Sequence, residues 1–206
     1  MSDLRNLFDK YKCDKGYKHQ YENVYEPAFD PRRNDPINLL EIGTFKGAST
    51  RAFYDYLPNA NIYTIDIFQR TKPESLDILK EDRVHWLKHD TMSAGLPVSM
   101  KEKWGNVKFD FVIDDGGHWP MANLLTFRNC YPRVTEDATY FIEDVWPMEL
   151  MSFEELRNPW LTKDPERYSV LENNQFVSEI NKHTVVRHDQ RKLTGHGDSY
   201  IIAVSD

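Results

Sequence analysis

Asp110-Phe-Val-Ile-Asp-Asp-Gly-Gly-His118 is the stretch on which the fold turns. With Phe109 in front, it reads as a buried strand over 109–113 that runs directly onto two carboxylates, two glycines and a histidine. Open α/β sheets hold their ligands at such C-terminal strand ends. Further on, Thr139-Tyr-Phe-Ile-Glu-Asp-Val145 repeats the pattern, a short apolar strand delivering Glu143 and Asp144. If the two strands are neighbours in a parallel sheet, their axes lie about 4.8 Å apart, and Asp115 and the Glu143-Asp144 pair can converge on one cation. The plainer reading makes Asp114 and Asp115 caps of the next helix, with His118 in its first turn. One such loop favours the caps, and two on successive strands favour the cation.

The same grammar extends upstream. Ile37-Asn-Leu-Leu-Glu-Ile-Gly-Thr-Phe-Lys-Gly-Ala-Ser-Thr50 reads as strand, tight loop and helix, with Gly43 and Gly47 bracketing the turn and the helix running over 48–56. Small residues there admit a ligand to the backbone, although glycines in such turns also serve close strand-helix packing. Asn61-Ile-Tyr-Thr-Ile-Asp66 is a second strand, ending in an acid near the offset at which such folds place a carboxylate on a ribose. Residues 69–81 read as loop and helix, with Leu76, Ile78 and Leu79 on one face. Val84 to Asp90 is a third strand, whose Asp90 either reaches an adenine amino group or caps a helix beginning near Met92. Polar residues 99–108 lead into the strand at Phe109, and residues 119–133 form a helix closed by Pro132.

Before the first strand, Leu4, Leu7, Phe8 and Tyr11 have helical spacing behind a Ser2 or Asp3 cap. Cys13-Asp-Lys-Gly-Tyr-Lys-His-Gln-Tyr21 then has no hydrophobic period and reads as loop. Tyr25, Ala28 and Phe29 resume the apolar pattern. After Val145 the pattern loosens up to about residue 176, with prolines and large aromatics, either a lid beside the acids or a plain crossover. Two alternating runs, 183–189 and 198–204, end the sequence as a hairpin.

Bulk properties exclude several classes. At 206 residues, one core is expected. Twenty-six basic against 33 acidic residues give a net charge of −7, which disfavours a nucleic-acid partner. Cys13 and Cys130 have neither disulfide-framework nor zinc spacing, and no apolar run is long enough to span a membrane from Met1 onward. A soluble cytoplasmic protein is expected, its oligomeric state left open, a homo-oligomer included.

Glu41-Ile-Gly43 with Gly47, Asp66, Asp90, the acid-tipped fourth strand and the C-terminal hairpin together resemble a class I S-adenosylmethionine-dependent methyltransferase. The resemblance implies a Rossmann-like, doubly wound, mostly parallel α/β sheet with a C-terminal antiparallel hairpin, over one domain of residues 1–206 with a lead-in at 1–36. It implies a cofactor-binding set of Glu41, Gly43, Thr44, Gly47, Asp66, Asp90 and Asp114. More narrowly, Val112-Ile-Asp-Asp-Gly-Gly-His118, Phe141-Ile-Glu-Asp144, Asp14-Lys-Gly16 and His19-Gln-Tyr21 resemble the metal-dependent sugar O-methyltransferases of macrolide tailoring. That family implies Mg2+, or another divalent cation, on Asp115, Glu143 and Asp144, His118 as base, and a sugar or polyol acceptor. Gly117 departs from the serine of the family motif, and the chain is too short for the extra N-terminal domain of some members.

Three rivals stand beside this reading. Catechol methylation would suit the same acidic site. A nucleotide-cofactor oxidoreductase lacks support, since the first loop has no GxGxxG spacing and no Tyr-x-x-x-Lys follows. A cofactor-binding scaffold without catalysis has no use for Asp115, Glu143, Asp144 and His118 together.

Overall fold

The computed structural model describes residues 2–206, so Met1 lies outside the described residues. Helices α1 (Asp3–Lys10), α2 (Asp14–Tyr17) and α3 (Glu22–Phe29) precede the sheet. Then follow β1 (Asn38–Ile42), α4 (Ala48–Tyr56), β2 (Asn61–Asp66), β3 (Val84–Lys88), α5 (Leu96–Trp104), β4 (Phe109–Asp114), α6 (Pro120–Cys130) and β5 (Val134–Ile142). The remainder is α7 (Pro159–Thr162), α8 (Val170–Ile180), β6 (Thr184–Asp189), α9 (Arg191–Thr194) and β7 (Tyr200–Ser205).

These strands form one sheet in the order β3-β2-β1-β4-β5-β7-β6. Pairings through β5 are parallel, and β7 runs antiparallel to both β5 and β6. The doubly wound sheet with its C-terminal antiparallel hairpin is therefore present as expected. Side chains alternate across it. Leu39, Phe111, Ile113, Phe141 and Ile201 face a core built with α1, α3 and α4 through Leu4, Phe8, Tyr25, Phe29 and Phe53. Leu40, Val112, Tyr140, Ile142 and Ile202 face the opposite core, with Met100 of α5, Phe127 of α6 and Phe176 of α8. Burial on both faces explains why the strands read as continuous apolar runs.

The reversal of strand order between β1 and β4 opens a crevice at their C-terminal ends, the place where such sheets bind ligands. Several elements depart from expectation. Within residues 13–21, read as loop, Asp14–Tyr17 forms the short helix α2 and buries Lys15 and Gly16. Residues 73–80 form two 3-10 turns, because Leu76 between them is extended (φ −99°, ψ 107°) while Leu76, Ile78 and Leu79 still reach the core. The polar stretch after Ser99 is mostly helix: α5 begins at Leu96 behind Gly95, with Pro97 in its first turn, and buries only Leu96 and Met100. Beyond Val145, short turns around Met148–Leu150 and Glu155–Arg157 give way to α8, which starts at Val170 behind a Ser169 cap. Among the described residues no helix is long and apolar enough to cross a membrane.

Candidate active site

The crevice is a cleft of about 840 Å³. Its first wall comes from the ends of β1, β2 and β3, with Gly43, Asp66 and Asp90 lining it. Gly43 sits at φ +93°, and a Cβ added there would come within 2.1 Å of the Asp115 carbonyl oxygen, so the β1 and β4 loops approach as only glycine allows. Asp66 accepts the Phe45 N–H at 2.8 Å and the Phe68 N–H at 2.6 Å, and so ties the β1 loop to the β2 loop. Asp90 accepts the Met92 N–H at 3.0 Å and closes a turn, not the helix envisaged there.

The other four residues of the expected cofactor set do not line the cleft. Gly47 caps α4 in the left-handed region, against Ile78. Thr44 is buried and hydroxyl-bonded to Thr64 at 2.6 Å. Glu41 is buried and accepts the Thr50 hydroxyl at 2.5 Å, and burial pushes its carboxyl up to about 7. Asp114 turns into the sheet, accepting the Gly116 N–H and the Tyr140 hydroxyl, each at 3.3 Å, and burial raises it also to about 7.

The second wall carries Asp115, Gly116, Gly117 and His118 after β4 and Glu143 and Asp144 after β5. Asp114 pairs with Ile142 in register, which sets the acids that follow side by side. One ligating atom each from Asp115, His118 and Asp144 lie within 4.8 Å of one another. His118 Nε2 is 3.7 Å from Asp115 Oδ1, and its side chain is 38% exposed, open to a substrate. Gly117 packs where a Cβ would strike Ala122 and Trp119. Glu143 is turned inward: Lys15 holds one of its oxygens and the Tyr25 hydroxyl donates to the other.

The N-terminal segment thus braces the acids from behind. Lys15 Nζ also reaches Asp115 Oδ2 at 2.5 Å. Burial lowers the Lys15 pKa, but Asp115 and Glu143 more than offset this and hold it well above its ordinary value. Tyr21 donates to Asp144 Oδ1 at 2.6 Å and accepts the Asp144 N–H at 3.3 Å, fixing a residue at φ +52°. His19 Nδ1 meets the Ser199 hydroxyl at 2.7 Å and lies 3.7 Å from Asp144, in a second acidic group with Asp198. Sequence reading left Lys15 without a contact and took Tyr25 for an apolar position. Tyr21, Tyr25 and Phe29, spaced four apart, were the available sign of one inward helix face. From the irregular region, Trp160, Arg167 and Tyr168 line the cleft, with Arg167 over the Trp119 ring at 4.6 Å.

This sheet order, with its glycine loop and acid-tipped strands, is the class I methyltransferase fold. The chain belongs to the family described as a methyltransferase domain, whose model matches residues 40–145. It is 33% identical over 152 residues to the 8-demethyl-8-(2-methoxy-alpha-L-rhamnosyl)-tetracenomycin-C 3'-O-methyltransferase of Streptomyces olivaceus, covering 70% of this chain and 37% of that protein. It is 29% identical to the mycinamicin VI 2''-O-methyltransferase of Micromonospora griseorubida, over 70% of this chain and 36% of that one. The chain therefore spans little more than a third of these relatives. Among solved structures, the MycE methyltransferase of the mycinamycin pathway, in complex with Mg and SAH, superposes with a TM-score of 0.69 at 24% identity, over 99% of this chain and 54% of that one.

Proposed function

We propose that this chain transfers a methyl group from S-adenosylmethionine to a hydroxyl of a sugar or sugar-containing metabolite, with a divalent cation beside the acceptor and His118 as general base. The convergence of Asp115, His118 and Asp144 in the cleft that Gly43, Asp66 and Asp90 also line carries this reading. Relatives named as sugar O-methyltransferases support it.

The donor set suits a hard cation such as Mg2+. Carboxylate oxygens on neighbouring strand ends are its usual protein ligands, and water or substrate oxygens complete the shell. Asp115 and Asp144 would hold the ion, with Glu143 directly behind them. When bound, such an ion makes an adjoining hydroxyl more acidic. The chain's own residues do the rest. Asp66 and Gly43 shape the cofactor's seat, and His118 takes the hydroxyl proton at Nε2, where it is open to the cleft. S-adenosylmethionine held there would supply an electrophilic methyl group, which the acceptor oxygen would take as its proton passes to His118, the donor leaving as a neutral thioether. Trp160, Arg167 and Tyr168, which line the same cleft, would bear on the acceptor. The buried thiols of Cys13 and Cys130 agree with a cytoplasmic setting.

The test is a methyl-transfer assay of the full chain with S-adenosylmethionine and rhamnosides, with Mg2+ or EDTA, alongside calorimetry for the cofactor. His118→Ala is expected to lower turnover by about 10²–10⁴-fold with cofactor affinity unchanged. Full turnover in His118→Ala would remove the base, and undiminished turnover in EDTA would remove the cation.

A further inference from the structure

Lys15 carries a charge that the proposed reaction leaves unused. It stands on the N-terminal segment, 100 residues before Asp115 and 128 before Glu143, and its ammonium joins the acids of two adjacent strands. Its side chain is 3% exposed, and that of Glu143 is 1% exposed. Both Glu143 oxygens are engaged, by Lys15 and Tyr25, whereas Asp115 gives Oδ2 to Lys15 and turns Oδ1 toward His118. Lysine is seldom buried so fully, and a buried charge persists only where partners satisfy it. Two carboxylates this close would repel one another without an intervening cation.

We propose that Lys15 is a positioning residue, the resident cation of the carboxylate cluster: it sets Asp115 and Glu143 in place, and a divalent ion on Asp115 and Asp144 binds in addition to it and not instead of it. The second clause rests on the metal reading above; the first stands without it.

The experiment compares the full-length wild type with Lys15→Met, Glu143→Gln and the double variant, each treated with EDTA and followed by thermal unfolding. Methionine keeps the unbranched stem, so charge is what changes. Lys15→Met is expected to melt roughly 5–15 °C below wild type, and the double variant above Lys15→Met, because it removes the charge left stranded. A Lys15→Met midpoint equal to wild type, or a double variant that melts lowest, would overturn the proposal. Should Lys15→Met not fold, the double variant decides: folding supports the charge role, and failure refutes it. The second readout is Mn2+ titration by calorimetry. Loss of the group that sets Asp115 in place should weaken Mn2+ binding to Lys15→Met by about 10-fold or more, whereas a lysine that only packs, or one that the ion displaces, leaves it equal or tighter, and that result counts against the proposal. If the wild type binds no Mn2+ while the melting order holds, the metal reading falls and the role of Lys15 stands.

Discussion

Tyr25→Phe removes a single oxygen, and what it leaves behind sets the cost. Tyr25 is fully buried, and its hydroxyl donates to Glu143 Oε1, itself out of reach of water. The ring's packing survives the change: Phe29 stacks on it at 5.4 Å and Phe141 meets it edge-on at 5.1 Å, contacts that phenylalanine repeats. The loss is therefore a charge-assisted hydrogen bond with no replacement donor, worth about 1.5–3 kcal/mol. In a chain of this size that is roughly 3–12 °C in the unfolding midpoint. Tyr21→Phe is the internal control. Its partner Asp144 has a side chain 18% exposed, so water can take over the bond and the loss should be nearer 1 kcal/mol. Circular dichroism melts of both variants, with calorimetry for S-adenosylmethionine, read this out. Tyr25 does not line the cleft, so its cofactor affinity should stay within about twofold of wild type. A Tyr25→Phe midpoint within about a degree of wild type, or below-Tyr25→Phe stability in Tyr21→Phe, would refute the reasoning that ranks the two sites by water access.

Two further outcomes are expected. Gly43→Ala places a Cβ against the Asp115 carbonyl at a φ of +93°, so it should cost about 1–3 kcal/mol in backbone strain alone and displace the β4 loop. Calorimetry should find S-adenosylmethionine binding weakened by at least about tenfold, and wild-type affinity would show that the close approach is dispensable. Burial and Lys18 lower His19 from 6.5 to about 4. The unfolded chain then takes up a proton that the folded chain resists, so this contribution is complete above pH 6.5 and is lost as pH falls toward 4, by up to about 3 kcal/mol. Urea unfolding at pH 7 and pH 5 should show a smaller drop in His19→Gln than in wild type; equal drops would exclude His19 as the source.

Much of the fold was legible because its strands are buried on both faces and end abruptly in acids. Asn61–Asp66 and Phe109–Asp114 could be bounded from the sequence by that contrast alone. Helix α5 was not, since Leu96 and Met100 are its only buried side chains and Lys101, Glu102 and Lys103 dilute the period. At the site, the acidic pairs were visible but not their division of labour. Successive residues leaving a strand point to opposite sides, so Asp114 goes to Tyr140 while Asp115 faces the cleft; Glu143 and Asp144 instead meet Tyr25 and Tyr21 of the same inward face, because Asp144 leaves the extended conformation at φ +52°. Lys15 was illegible for another reason: its partners lie in strands far along the chain, and no local spacing encodes such a pairing.

The antiparallel strand also dictates an order of assembly. β6 pairs with β7 alone, and β5 pairs with β7 on the edge away from β4. β7 follows both in the chain, so on the ribosome β6 emerges with no neighbour and β5 presents a bare edge until residues 200–205 slide between them. Bare edges recruit other chains, and although β6 and β7 meet locally as a hairpin, β7 reaches β5 only through long-range contacts, which form late. The last-made strand is thus the latch of the sheet, and the interval before it engages is when a nascent chain is most exposed to misassembly.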